Sequence, residues 1–399
     1  MESNMDYLII GNGIAGTTAA ENLRKADDNA AITIITNEDT PFYSRLRLNE
    51  YVAGKLQKDA LIVRKPEWYL EKNITLQTQT EIKKIDTENK KAVSADGKEY
   101  SYGKLLYAAG SYPFIPPING VEKEGVFALR SFEDADRIIA YSGDKESKSK
   151  KRVVLLGGGL LGLELGHALI EKGMEVTVVE QFPRLLPRQL DCDGADCLQQ
   201  MMEKTGLKFV LGAKTETITG ESCVEGVALD NGISIEADMV IVSAGVRPNS
   251  KLIADAGVKV NMGVIIDDKM QTSVQDIYAA GDLIEHNGRL YGNWMIAMEQ
   301  GKLAAQSMSG AEVSYSGSIM SMILKVIGID LGSVGEIDAE SEFECRVKNA
   351  ENFYQKIVCN NDGKVIGGIM VGSKKGFPQI VKAVNNRDSL DVLAELCDN

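Results

Sequence analysis

The most apolar stretches of this chain, such as Tyr7 to Ile10 and Val153 to Leu156, are strand-length and end on glycine. Asp6 to Ile10 reads as a strand, Gly11 to Gly16 as a turn, Thr17 to Lys25 as a helix and Ala31 to Thr36 as a second strand. A strand, helix and strand of about 30 residues in that order imply a parallel sheet buried on both faces. The grammar returns at Arg152 to Leu156, Gly157 to Gly162, Leu163 to Lys172 and Glu175 to Val179. Residues 143–151 are charged and lack apolar side chains, which suits an exposed connector. Further strands are predicted at Met239 to Ser243 and Val264 to Ile266. Past about residue 310 the pattern changes to shorter strands with Gly and Asn turns, such as Gln355 to Cys359 and Val365 to Val371, and predicts an α+β domain.

Both glycine turns have a physical job. Gly11-x-Gly13-x-x-Gly16 follows a strand and opens a helix, so its glycines permit a tight turn, close approach of a pyrophosphate and close helix packing. The helix N-terminus adds unpaired N–H groups and a positive dipole end. Glu38, 22 residues past Gly16, can accept hydrogen bonds from a ribose diol. Gly157-Gly-Gly159-Leu160-Leu161-Gly162 repeats the device, and Glu180 closes its second strand. A carboxylate there accepts from a ribose 2′-hydroxyl and repels a 2′-phosphate, favouring NAD over NADP. Gln181 follows it in place of the Arg that a 2′-phosphate would want, and Arg184 is the nearest candidate for that task.

Composition narrows the chemistry. Forty-four Lys and Arg against 57 Asp and Glu leave a charge of -13 among 399 residues, which argues against a nucleic-acid ligand. No run approaches the roughly 18 apolar residues of a membrane-spanning helix, and the polar start Met1 to Asp6 does not read as a signal peptide, so a cytoplasmic chain without a membrane partner is expected. Two histidines, His167 and His286, and six cysteines without a CxxC pair leave a metal site without ligands at usable spacing, so no metal is expected.

Several further motifs, in order, resemble the FAD-dependent pyridine nucleotide-disulfide oxidoreductase superfamily over about residues 5 to 310. They are Gly11-Asn12-Gly13-Ile14-Ala15-Gly16, Leu105-Leu-Tyr-Ala-Ala109-Gly110, Gly157 to Glu164, Ser243-Ala-Gly245-Val-Arg-Pro-Asn249 and Thr272 to Asp282. The resemblance implies an α/β fold with two Rossmann-like three-layer nucleotide-binding domains plus a small α+β C-terminal domain. Residues 1–112 and 241–309 would bind FAD, 113–240 NADH, and 310–399 would form the C-terminal domain. It also implies that the first turn, Ala109, Gly110, Gly281 and Asp282 touch FAD, with Ile82 and Arg130 beside it and Trp294 over the flavin. The second turn and Gly245 would then hold NADH, and Glu164 would stand near the nicotinamide.

Members of that superfamily differ in their electron acceptor. Disulfide reductases carry CxxxxC, and NADH oxidases and peroxidases a single Cys, where this chain has Pro41-Phe-Tyr-Ser-Arg45-Leu-Arg-Leu-Asn-Glu50, and no cysteine precedes Cys192. Electrons therefore cannot leave through a disulfide or sulfenic acid on that face. A CxxxxC does occur at Cys192 and Cys197, where a continuous helix would set the pair about 140° apart. Cys223, Cys345, Cys359 and Cys397 have no motif context. Arg45-x-Arg-Leu-Asn-Glu50 and Pro187-Arg-Gln-Leu-Asp191 resemble the NADH:rubredoxin oxidoreductase branch. There Arg45 would reach a phosphate or the flavin, and Glu50 would hold a lysine or buffer a proton at flavin N5.

The resemblance implies hydride transfer from NADH to FAD and single-electron transfer to a small carrier, with rubredoxin first in line. An acidic carrier would need a local basic patch, and Lys374, Lys375, Lys382 and Arg387 lie in a stretch free of Asp and Glu. The rivals are an NADH oxidase, a ferredoxin-type reductase, and a partner-binding flavoprotein like apoptosis-inducing factor. A monomer or homodimer is expected.

Overall fold

The computed structural model describes residues 6–143, 151–326 and 328–398. The expected connector and the polar N-terminus thus lie largely outside the described residues. The chain gathers into two compact units, one from the segments up to Arg45, Gln57–Tyr112 and Val246–Ser318, the other from Leu46–Leu56, Pro113–Gly245 and Ile319 onward.

The first unit is built on a five-stranded parallel sheet in the order Ile277–Ala279, Lys104–Tyr107, Asp6–Ile10, Ala31–Ile35 and Ile74–Gln77. Leu8, Ile9, Ile32, Ile34, Leu105 and Leu106 are buried, as continuous apolar runs in a doubly covered parallel sheet require. The helix Ile14–Ala26 follows the first strand and packs on the helix Trp294–Met308. That crossing is close because residue 301 is glycine: a Cβ there would stand 2.3 Å from the Ala15 carbonyl oxygen. A three-stranded antiparallel sheet, Ile82–Asp86, Lys91–Ser94 and Glu99–Ser101, adds a further layer.

The second unit repeats the plan with a parallel sheet ordered Lys208–Leu211, Glu175–Glu180, Arg152–Leu156, Met239–Val242 and Val126–Phe127. It also holds an antiparallel trio, Thr215–Thr219, Gly226–Leu229 and Ser234–Glu236. Its C-terminal part is a five-stranded antiparallel sheet in the order Ser321–Val326, Ile329–Gly335, Val365–Val371, Phe353–Cys359 and Glu344–Ala350. The helix Phe377–Asn386 seats Phe377 and Ile380 on that sheet over glycines. A Cβ at Gly332 would stand 2.7 Å from the Phe377 ring, and one at Gly368 would stand 2.8 Å from Ile380 Cγ2. Among the described residues no helix is long and apolar enough to cross a membrane.

Strands match the sequence reading to within a residue or two, but the helices after the two glycine turns begin three residues earlier than expected, at Ile14 and Leu160. Gly13 and Gly159 are their N-caps, so Gly16 and Gly162 are already helical and belong to the first turn.

Candidate functional site

Within the first unit, the glycines of the first turn have separate tasks. Gly11 has φ +114°, and a Cβ there would stand 2.2 Å from the Ala108 carbonyl oxygen, while one at Gly16 would stand 2.0 Å from the Gly11 carbonyl oxygen. Only hydrogen fits at either position. A Cβ at Gly13 would meet nothing within 4 Å, so this glycine faces open space. No side chain among the described residues caps the helix that Gly13 opens, leaving its first N–H groups and its positive dipole end for an anion. Asn12, 9% exposed, accepts a hydrogen bond from the Tyr69 hydroxyl at 3.0 Å, and its Nδ2 is buried without a partner among the described residues. An open glycine, an uncapped helix and an orphaned amide donor fit the pyrophosphate of a dinucleotide.

A cleft beside this turn is lined by Asn12, Gly13, Glu38, Phe42, Tyr43 and Arg45, among others. Tyr43 donates to Glu38 Oε2 at 2.7 Å, Arg45 donates to the Tyr43 hydroxyl at 2.7 Å, and Arg45 also pairs directly with Glu38. Burial works against the Arg45 charge, yet Glu38, Tyr43 and Asp282 outweigh it and hold its pKa above the ordinary value. Asp282 accepts from Ser111 Oγ at 2.9 Å, and the Gly281 N–H is fixed by Gln300 Oε1 at 3.0 Å. Ala109 and Gly110 are tied through their carbonyls to Asn249 at 2.9 Å each. Trp294 opens a helix capped by the Asn293 side chain and stacks on Phe42, with ring centroids 5.8 Å apart and planes at 21°. Ile82 is buried in the core of this unit. Arg130 belongs to the other unit, directly before a helix closed by a reciprocal Ser131 and Asp134 capping box.

Within the second unit the division of labour recurs. Gly157 has φ +116° and would place a Cβ 2.3 Å from the Ser243 carbonyl oxygen, and Gly162 would place one 2.9 Å from the Gly157 carbonyl oxygen, whereas Gly159 and Gly245 face open space. Leu160 and Leu161 form the first helical residues behind Gly159, with Leu161 43% exposed. The Glu180 carboxylate is 7% exposed and accepts from the backbone N–H groups of Gly158 at 2.7 Å and Phe182 at 2.9 Å. Arg184 donates to the carbonyls of Leu190 and Pro187 at 3.3 and 3.4 Å, which engages its guanidinium within its own loop. Cys192 is exposed and Cys197 buried on the continuous helix Cys192–Glu203, and both are free thiols.

Of the two carboxylates expected to act, Glu164 near the nicotinamide and Glu50 at flavin N5, Glu164 lies on the helix Leu160–Glu171, where burial first and the charge of Glu50 as a smaller cause raise its pKa against the lowering effect of Asn49. Glu50 itself is forked onto Arg47 at 2.9 and 3.1 Å, a pairing that keeps its pKa low. Among the described residues the side chain that donates to Glu164 is Asn49, the neighbour of Glu50. No local signal marks it in the sequence beyond its place in the Arg-Leu-Asn-Glu run.

Residues 5–301 match the family model of pyridine nucleotide-disulphide oxidoreductases, and residues 321–388 match that of the rubredoxin NAD+ reductase C-terminal domain. The chain is 39% identical over 370 residues to the NAD(P)H nitrite reductase of Bacillus subtilis, covering 92% of this chain and 45% of that protein. It is 33% identical over 393 residues to the NADH-rubredoxin oxidoreductase of Clostridium acetobutylicum, covering 98% of this chain and 97% of that protein. The solved NADH:rubredoxin oxidoreductase from Clostridium acetobutylicum matches with a TM-score of 0.83 at 30% identity, covering 99% of this chain and 100% of that one. The chain thus spans about half the length of its nitrite reductase relative and nearly all of its rubredoxin-linked one. Two glycine turns whose geometry fits dinucleotides agree with the family match over residues 5–301: the chain belongs to the pyridine nucleotide-disulphide oxidoreductase family, whose cofactors are FAD and NAD(P)H.

Proposed function

We propose that this chain is an NADH-dependent flavoprotein oxidoreductase that delivers electrons one at a time to a small carrier protein, rubredoxin first among them. The observation that carries the reading is the Pro41–Glu50 segment, which presents Arg45, Asn49 and Glu50 and no thiol. Electrons must then leave by direct transfer to an external acceptor. The match of residues 321–388 to the rubredoxin reductase C-terminal domain and the end-to-end likeness to a rubredoxin-linked relative support the choice of carrier.

FAD, when bound, supplies the exchange between a two-electron donor and a one-electron acceptor. The protein supplies placement. The Gly11–Gly16 turn and the Asn12 amide hold the FAD pyrophosphate, Glu38 faces its ribose, Arg45 balances its negative charge and Asp282 binds its ribityl chain. Gly157–Gly162, Glu180 and Gly245 hold NADH, and Glu164 orients the nicotinamide. Arg184 donates to two carbonyls of its own loop, which draws its guanidinium away from a 2′-phosphate and, with the Glu180 carboxylate, favours NADH over NADPH.

Lys374, Lys375, Lys382 and Arg387 are all exposed, on and around the helix Phe377–Asn386, and provide the basic patch for an acidic carrier. Lys374 lies 3.5 Å from Asp330, so part of its charge is already countered.

The test is anaerobic steady-state NADH oxidation with rubredoxin, ferredoxin and nitrite supplied separately, with oxygen as a fourth arm. The expected result is fastest turnover with rubredoxin. Turnover with oxygen alone would replace the carrier reading with an oxidase. A second reading, the electron-input half of a nitrite-reducing assembly, is favoured by the 39% identity to a protein twice as long. It predicts turnover only when a nitrite-reducing partner is present.

A further inference from the structure

Within the second unit the short helix Leu48–Val52 packs on the helix Leu160–Glu171. Its two polar neighbours part company: Glu50 turns to Arg47, while Asn49 is 8% exposed and turns inward. Asn49 Nδ2 donates to Glu164 Oε2 at 3.1 Å, and Asn49 Oδ1 is buried with no partner among the described residues. An amide carries a donor and an acceptor, so this one side chain can serve Glu164 as a carboxylate through Nδ2.

The charged neighbours do not duplicate that role. Glu50, from the facing helix, opposes a second negative charge. On Glu164's own helix, His167 and Glu171 lie further along, and Glu171 is bound by Lys55 at 2.6 Å. In the strands beneath, Arg152 is committed to Glu236 and Asp238, Glu175 lies 3.4 Å from Lys208, and Glu180 accepts from Gly158. The strand Ser321–Val326 also contacts this helix. Among the described hydrogen bonds, the side chain that donates to Glu164 is Asn49.

We propose that Asn49 is a positioning residue that fixes the orientation and the negative charge of Glu164, leaving Oε1 for the bound nicotinamide nucleotide. The proposal rests on reading Glu164 as the carboxylate beside the nicotinamide. A donor to a carboxylate favours its charged form, so losing that donor lets Glu164 hold a proton to higher pH.

The experiment is infrared spectroscopy of the FAD-loaded enzyme across pH, following the carbonyl band of a protonated carboxylic acid after subtraction of the E164Q spectrum. The N49L variant, and the shorter N49S variant should the first fold poorly, are each expected to raise the midpoint of that band by about one pH unit. Unchanged midpoints in both variants overturn the proposal. In parallel, the rate of flavin bleaching by NADH is measured in N49L, E164Q and the double variant. N49L is expected to slow bleaching and to add nothing in the E164Q background, and equal additive losses would overturn the proposal. If E164Q bleaches like the unaltered protein while the band still shifts in N49L, the pairing stands and the catalytic reading of Glu164 falls.

Discussion

Tyr354 donates its hydroxyl to Asp191 Oδ2 at 2.6 Å, and Lys356 Nζ lies 3.1 Å from the same oxygen. Asp191 is also the N-cap of the helix Cys192–Glu203, accepting from the Gly194 N–H at 3.0 Å through its other oxygen. One buried carboxylate thus ties the C-terminal sheet to the segment that follows the strand Glu175–Glu180. Asp338 adds its carbonyl to Lys356 at 2.8 Å, and Ser333 donates to the Gln189 carbonyl at 2.8 Å.

Breaking this cluster should cost stability unequally. Y354F removes one hydrogen bond to a charged group and should lower the unfolding free energy by about 1.5–3 kcal/mol. D191A strips the cap, takes the acceptor from the Tyr354 hydroxyl and leaves Lys356, 4% exposed, with Asp338 at 3.5 Å as its remaining carboxylate, which together should cost about 3–5 kcal/mol. Urea unfolding of the two variants checks the order, and equal losses would refute it.

The two kinds of glycine in the first turn should respond oppositely to alanine. G11A combines φ +114° with a 2.2 Å clash against backbone and should prevent the turn from forming. G13A has room for its methyl group and no positive φ, so the flavin-free protein should fold with a nearly unchanged melting temperature while the flavin-to-protein ratio after purification drops. Absorbance after purification, set beside a thermal melt, separates the two outcomes.

Glu164 gives a stability dependence with a definite sign. Its folded pKa is raised, mainly by burial, so the folded state binds the proton more tightly than the unfolded one. Its contribution favours folding below the unfolded value of about 4.3 and is lost as pH rises through the folded value. The E164Q protein should therefore melt higher than the unaltered protein at neutral pH, with the gap closing on acidification below about pH 4. A gap that widens toward acid would contradict this.

Charge reversal tests the carrier patch. The K374E/K375E variant should slow rubredoxin reduction several-fold at low salt, with the difference shrinking as salt screens the surface over about 8 Å. NADH-to-dye activity should stay unchanged, because both lysines are exposed on the C-terminal sheet domain. Identical rubredoxin kinetics would remove the patch from consideration.

The sequence exposed those features that depend on local pattern. Gly11, Gly13 and Gly16 announce their strand and helix because each constraint acts within one turn of the chain. The helix Trp294–Met308 escaped notice although Asn293, a side chain that accepts from the N–H groups of Met295 and Ile296, stands directly before it as a start signal. Lys356, inside the buried run Tyr354 to Cys359, takes its meaning from Asp191 and Asp338, which lie on other elements. Asn49 was masked by the more conspicuous Glu50, and its contact with Glu164 joins segments that no spacing rule connects.

The strand order of the first sheet bears on how the protein is made. Ile277 pairs with Leu105 and Ala279 with Tyr107, so the strand Lys104–Tyr107 keeps an open edge until residue 279 has been synthesised. The second sheet draws all its strands from residues 126–242 and can close earlier. During translation the turn that comes first in the chain is therefore framed last. In that interval the exposed edge is open to stray pairing.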